Sequence, residues 1–291
     1  MTGQDARPTL SCKADLQTSQ GAEGGRTIDM SNSSEGRPGI RCIDLSVPLQ
    51  NFSFDRDHVR ISPWNHREGA RRIAQRIGFD PDLLPDGQAL AAEDVEINTH
   101  SGTHLDSPYH FSPTCAGSPA RTADEIPLDW CFSDGVVLDM THKGAGDLIT
   151  VPDMEEAVAK IRYRIKPYDI VLIRTDATKR YEKPDFLLNQ PGMGRESTLW
   201  LLDQGVKVAG IDAWSFDRPL PDMAKDLKAG NQAAYCPAHF VGKEREYCHV
   251  EKLANLDLIP EPFGFKVSIF PIRITRGSAG WVRAVAILEE G

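Results

Sequence analysis

From residue 40 onward the polar and apolar positions fall into regular patterns. Ile40-Arg-Cys-Ile-Asp-Leu-Ser-Val47 alternates in the manner of a half-buried strand. Over 66–77 (HREGARRIAQRI) apolar residues recur at helical spacing, and Gly78 supplies a stop. Five further segments are apolar and rich in β-branched residues: 135–140 (GVVLDM), 169–175 (DIVLIRT), 206–211 (VKVAGI), 266–274 (KVSIFPIRI) and 282–288 (VRAVAIL). Such runs predict strands buried on one or both faces. Helices are predicted between them at 154–161 (MEEAVAKI) and 195–204 (RESTLWLLDQ), the second closed by Gly205. No internal repeat is present. The alternation predicts one strand-rich α/β domain over 39–291 with long functional loops.

Residues 1–38 break the pattern. They are rich in Gly, Ser, Thr, Asn and Gln with no sustained period, which predicts a flexible leader or a peripheral arm. The composition of the whole 291-residue chain is that of a soluble globular protein, 40% hydrophobic and 26% charged. A net charge of −9 gives no basic footprint for nucleic acid or an anionic membrane. No apolar run approaches the roughly 18–20 residues of a membrane-spanning helix. The first residues lack the apolar core of a secretory signal, so a cytoplasmic location is expected. The six cysteines form no CxxC pair and read as free thiols.

The chemistry concentrates in His100-Ser-Gly-Thr-His-Leu-Asp-Ser-Pro-Tyr-His110, where four potential metal ligands lie within eleven residues. A helix would bring His100 and His104 together but turn Asp106 away, and Gly102 and Pro108 oppose it. A straight strand would hold His100 and His104 roughly 13 Å apart, too far to share an ion. A bent loop satisfies both limits. Gly102 allows a turn that folds His100 back, His104 and Asp106 project from one side of a short extended stretch, and Pro108 redirects the chain towards His110. Imidazole and carboxylate together suit zinc or manganese. The bland alternative is three neighbouring histidines without a shared task. With only 8 histidines in the chain, their concentration here among Asp, Gly and Pro favours the metal.

The motif His100-x-Gly-Thr-His104-x-Asp106-x-Pro-x-His110 resembles the signature of the metal-dependent cyclase/hydrolase family, which includes bacterial kynurenine formamidases, isatin hydrolases and a trans-dienelactone hydrolase. A second block agrees: His239 is followed twelve residues later by Glu251 in Glu251-Lys-Leu-Ala-Asn-Leu256. Ile43-Asp-Leu-Ser46 and Gly277-Ser-Ala-Gly280 are similar to the family's opening strand and its approach to the last strand. The resemblance runs from about residue 40 to the C-terminus. It implies a compact swivelling β/β/α-type domain with a β-barrel-like core, assembled as a homodimer or homotetramer.

The resemblance also implies His100, His104 and Asp106 at one metal, with His110, His239 and Glu251 completing a second site and Asp106 and Glu251 able to bridge. Members with a single ion use the residue matching His110 in catalysis. One or two zinc or manganese ions are therefore expected, with His110 or Glu251 handling the proton. His249 is expected in a structural or rim role, and His58, His66 and His142 as ordinary histidines. Trp214 and Phe216 follow a buried-type strand in a region that lines the family's pocket, so both are candidate substrate contacts. Arg218 could bind a substrate carboxylate or pair with Asp217 or Asp222.

The leading expectation is hydrolysis of an amide, lactam, lactone or ester of a small-molecule carbonyl substrate through metal-activated water. Two competitors stand beside it: metal-assisted cyclisation or dehydration of a polyketide-like carbonyl compound, and a non-catalytic metal-binding protein with a coordinatively closed site.

Overall fold

A computed structural model of the chain describes residues 38–51 and 59–289. The expected leader and His58 thus lie outside the described residues, apart from the leader's last position. The main sheet has nine strands, labelled in chain order: β1 (Ile40–Asp44), β2 (His104–Asp106), β3 (Phe132–Asp139), β4 (Ile170–Arg174), β5 (Val208–Ile211), β6 (Cys248–Glu251), β7 (Phe263–Ser268), β8 (Ala279–Trp281) and β9 (Val285–Glu289). Their order across the sheet is β1-β9-β7-β3-β4-β5-β6-β2-β8. The middle run β3-β4-β5-β6 is parallel, and every other pairing is antiparallel.

The parallel run explains the unbroken apolar sequences. Val136 and Leu138 of β3, Val171 and Ile173 of β4 and Ile211 of β5 pack in one core cluster, while Val137, Leu172 and Val208 pack in another on the opposite face. A parallel centre needs crossovers, and helices Val151–Ile161 and Arg195–Asp203 join β3 to β4 and β4 to β5. The first of these starts with a capping box in which Asp153 accepts from the Thr150 backbone N–H. The sheet curls as a half-barrel. Beyond β1, Ser46 bridges to Leu253, just past β6, so the chain leaving one edge strand returns to the far side of the sheet.

Most predicted elements are present with shifted ends. The helix at His66–Ile77 has the predicted bounds, with Asn65 capping the N–H groups of Arg67 and Glu68 and Gly78 left-handed at φ 86°. The strand predicted over 266–274 instead spans Phe263–Ser268, because Pro271 lies in its second half and donates no ladder hydrogen bond. The run 282–288 becomes β9 from Val285, and the three-residue β8 precedes it. Among the described residues no helix is long and apolar enough to cross a membrane.

Candidate metal centre

Strand register assembles the centre. On β2, His104 and Asp106 are two residues apart and share a face; on β6, His249 and Glu251 do the same. The antiparallel pairing sets His249 opposite Asp106 and Glu251 opposite His104. Directly opposed residues face the same side, so all four side chains converge. The alternate residues Leu105 and Val250 point the other way into the core, at 0% and 1% exposure. Apolar packing on one face thus holds polar chemistry on the other.

Two further segments close in on this face. Gly102 turns the chain at φ 64°, and His100 folds back so that Nδ1 lies 2.8 Å from Asp106 Oδ1 and Nε2 lies 3.0 Å from Ser278 Oγ. The buried Lys252 ammonium donates to the His100 carbonyl at 2.7 Å and secures that fold. Pro108 opens a helical turn, Pro108–Phe111, and brings His110 Nε2 to 3.9 Å from Asp106 Oδ2. From the opposite side, the short 3-10 helix His239–Lys243 presents His239, whose Nε2 is 3.6 Å from Glu251 Oε1 and 3.9 Å from Asp106 Oδ2.

His239 is aimed by Asp217. This fully buried carboxylate accepts from the Ala238 and His239 backbone N–H groups at 2.8 and 3.1 Å and from His239 Nδ1. Asp217 therefore fixes the ring's tautomer and leaves Nε2 facing the cluster.

The charges are strongly interdependent. Burial alone would raise the Asp106 carboxyl, yet the imidazoles of His110, His104 and His100 hold it well below the usual carboxylate range. Glu251 is likewise held low against its burial, chiefly by the hydrogen bond from His249. Burial opposes protonation of His249, but Asp106 and Glu251 raise it to about 9. Burial dominates at His110 and lowers it to about 4.

Whether these residues fit a metal is decided by two buried atoms. His104 Nδ1 bonds the Gly102 carbonyl at 2.9 Å, so this nitrogen carries the proton and Nε2 presents a lone pair. That Nε2 is buried without a hydrogen-bond partner and faces Asp106 Oδ1 at 3.3 Å, an oxygen already approached by His100 Nδ1 at 2.8 Å. A buried acceptor left unpaired against a carboxylate oxygen costs about 1–3 kcal/mol. A cation between them removes that cost. The residues fit a divalent metal.

The structure brings the six expected ligands onto one face, five of them in two sets. Ligand atoms of His100, Asp106 and His110 lie within 4.8 Å of one another, as do those of Asp106, His239, His249 and Glu251. His104 stands between the sets, 3.6 Å from Glu251 Oε2. Of the structural or rim role expected of His249, the rim position does not hold. It is fully buried, 3.0 Å from Asp106 Oδ2, with its ring stacked on Phe216. Phe216 is itself fully buried, so it is a floor beneath His249 rather than a wall open to substrate. Arg218 pairs with Asp226, eight residues along the following helical segment, instead of Asp217 or Asp222. Trp214 is half-buried beside the Lys252 ammonium. Asp217 and Lys252 carried no local signal, since each acts on a residue far away in the sequence.

These features define a class, and the comparisons agree with it: the family model described as Cyclase matches residues 43–218, and the chain belongs to that family. An isatin hydrolase from Roseibium aggregatum is 27% identical over 215 residues, covering 70% of this chain and 78% of its own length. A kynurenine formamidase from Erythrobacter litoralis is 25% identical over 202 residues, covering 69% and 79%. The solved isatin hydrolase A from Ralstonia solanacearum shares the fold, with a TM-score of 0.69 at 23% identity over 86% of this chain and 92% of that one. The chain is a metal-dependent hydrolase that uses a divalent metal.

Proposed function

We propose that the chain hydrolyses the carbon–nitrogen bond of an amide or cyclic amide, with zinc or manganese at His100, His104 and Asp106 and with His110 as the proton acceptor. The observation that carries this reading is the buried, unpartnered His104 Nε2 facing Asp106 Oδ1, beside the most exposed imidazole of the cluster, His110 at 32%. Relatives named isatin hydrolase and kynurenine formamidase open amide bonds and support the bond type. When bound, a divalent cation supplies Lewis acidity toward the carbonyl and acidifies water towards neutral pH.

The protein's own groups manage the rest. Burial keeps the His110 imidazole neutral at neutral pH, so it can take a proton from water as the water oxygen adds to the carbonyl carbon. When the carbon–nitrogen bond breaks, its electron pair goes to nitrogen, and His110 returns the proton there. Glu251 is a poorer base: it is buried, held low, and receives the Phe216 backbone N–H at 2.8 Å. Trp214, at the Lys252 side of the His100 loop, is the wall assigned to substrate.

The test is His110→Ala, assayed on N-formyl amides, cyclic amides, lactones and esters with metal content measured in parallel. The expected result is a loss of about 10²–10⁴ in kcat with metal still bound at the first position. Unchanged kcat on every amide substrate would remove His110 from the mechanism.

A further inference from the structure

The chain leaves β5 at Ile211 and passes through 214–217 without regular structure, yet most of this stretch is buried. It carries three tasks. Trp214 stands on the substrate side, the Phe216 N–H donates to Glu251 Oε1, and Asp217 aims His239. Buried backbone groups outside a helix or ladder need partners from elsewhere. Here one side chain makes four of those hydrogen bonds. Gln190 is fully buried, and its Oε1 accepts from the Trp214 and Ser215 N–H groups at 2.6 and 3.3 Å. Its Nε2 donates to the Ser215 and Asp217 carbonyls at 3.0 and 2.9 Å. Two N–H groups at one end and two carbonyls at the other admit only one orientation of the amide. Both of its protons and both of its lone pairs are used.

Gln190 itself sits on a firm base. Its own carbonyl accepts from the Gly146 N–H at 2.8 Å, and the following Gly192–Met193 pairs in parallel with Leu148–Ile149. The Met193 N–H donates to the Phe216 carbonyl at 2.8 Å. Gly192 abuts the next peptide so closely that a Cβ there would lie 2.1 Å from the Arg218 nitrogen. Segment 190–193 therefore holds every residue from 214 to 217.

We propose that Gln190 is a positioning residue of the metal centre. It fixes the backbone of 214–217, and through that backbone the aim of His239, the seat of Glu251 and the place of Trp214. Its amide bonds only backbone groups, so its effect on the centre is indirect. The kinetic part of the inference rests on the hydrolase reading above, and the metal-affinity part does not.

The test is Gln190→Met, which keeps the length of the side chain and removes all four hydrogen bonds. Zinc affinity of the stripped full-length protein is measured by titration, followed by steady-state kinetics at saturating zinc on an N-formyl or cyclic amide. Zinc affinity is expected to weaken about 10–100-fold, the range for a lost outer contact. At saturating zinc kcat should recover to within a few-fold of wild type. KM should stay raised about tenfold, because Trp214 is no longer held. A purely structural role would reduce only the folded fraction, and so kcat per chain. Zinc affinity and KM of the folded protein would then match wild type, and that result would overturn the proposal. If the variant does not fold, wild type labelled with nitrogen-15 at glutamine decides the matter. Coupling between two sites is reciprocal. Zinc is therefore expected to shift the Gln190 side-chain amide signal and slow its hydrogen exchange, and an amide unmoved by zinc overturns the proposal. Failure of the hydrolase reading would look different: wild type would hold zinc and turn over no amide, while the zinc titration still decides the role of Gln190.

Discussion

Glu251 stands directly opposite His104 across the β6–β2 pair, and its Oε2 lies 3.6 Å from His104 Nε2. One hydrogen-bonded register therefore sets two of the centre's acceptors face to face, although they are 147 positions apart in the chain. Glu251→Gln keeps the shape and removes the charge. It is expected to weaken metal affinity by more than about 100-fold, beyond the 10–100-fold typical of outer contacts. Titration of the stripped protein with zinc or manganese measures this directly, and an affinity within a factor of a few of wild type would exclude Glu251 as a ligand.

Asp217 touches no other ligand of the centre than His239, yet it sets that ring's direction and tautomer. Asp217→Asn should lower metal affinity or kcat/KM by about 10–100-fold while the protein stays folded. The backbone around it is packed too closely to adjust: a Cβ on Gly192 would lie 2.2 Å from the Asp217 carbonyl carbon. An Asp217→Asn protein with wild-type metal affinity and wild-type kcat/KM would show that His239 is held by other means.

How far the sequence revealed this centre depended on how local each signal was. His100, His104, Asp106 and His110 were legible because a glycine turn and a proline-led helix place them within one loop. The helix His66–Ile77 was legible for the same reason, its cap and its stop lying beside it. For His249 the sequence supports no more than a structural or rim role, because its environment is made by non-local pairing: Asp106 across the strands and Phe216 beneath. The three-residue strands β2 and β8 are too short to carry a period of their own, and pairing with each other and with β6 defines them. Asp217 and Lys252 act on His239 and the His100 loop through tertiary contacts, for which short-range patterns hold no information.

Asp153 gives a prediction away from the centre. Burial would raise its carboxyl, but the Thr150 hydroxyl and backbone N–H together with the Lys143 ammonium lower it to about 2. The folded value is below the ordinary aspartate value, so this contribution to stability is full above about pH 4 and is lost as pH falls towards 2. Asp153→Ala should cost about 1–2 kcal/mol at neutral pH. Thermal melts should show the gap to wild type narrowing below about pH 4. A gap that stays constant with pH would mean that the capping charge contributes nothing.

The central claim is that a metal held by the His100–His110 loop delivers water to a carbonyl. The most direct measurement is single-enzyme turnover of an amide in ¹⁸O-labelled water, comparing chelator-stripped protein with the same sample after zinc or manganese is restored. The account predicts no product from the stripped protein and, after restoration, one labelled oxygen in the product acid. Equal turnover without metal, or product acid free of label, would contradict it.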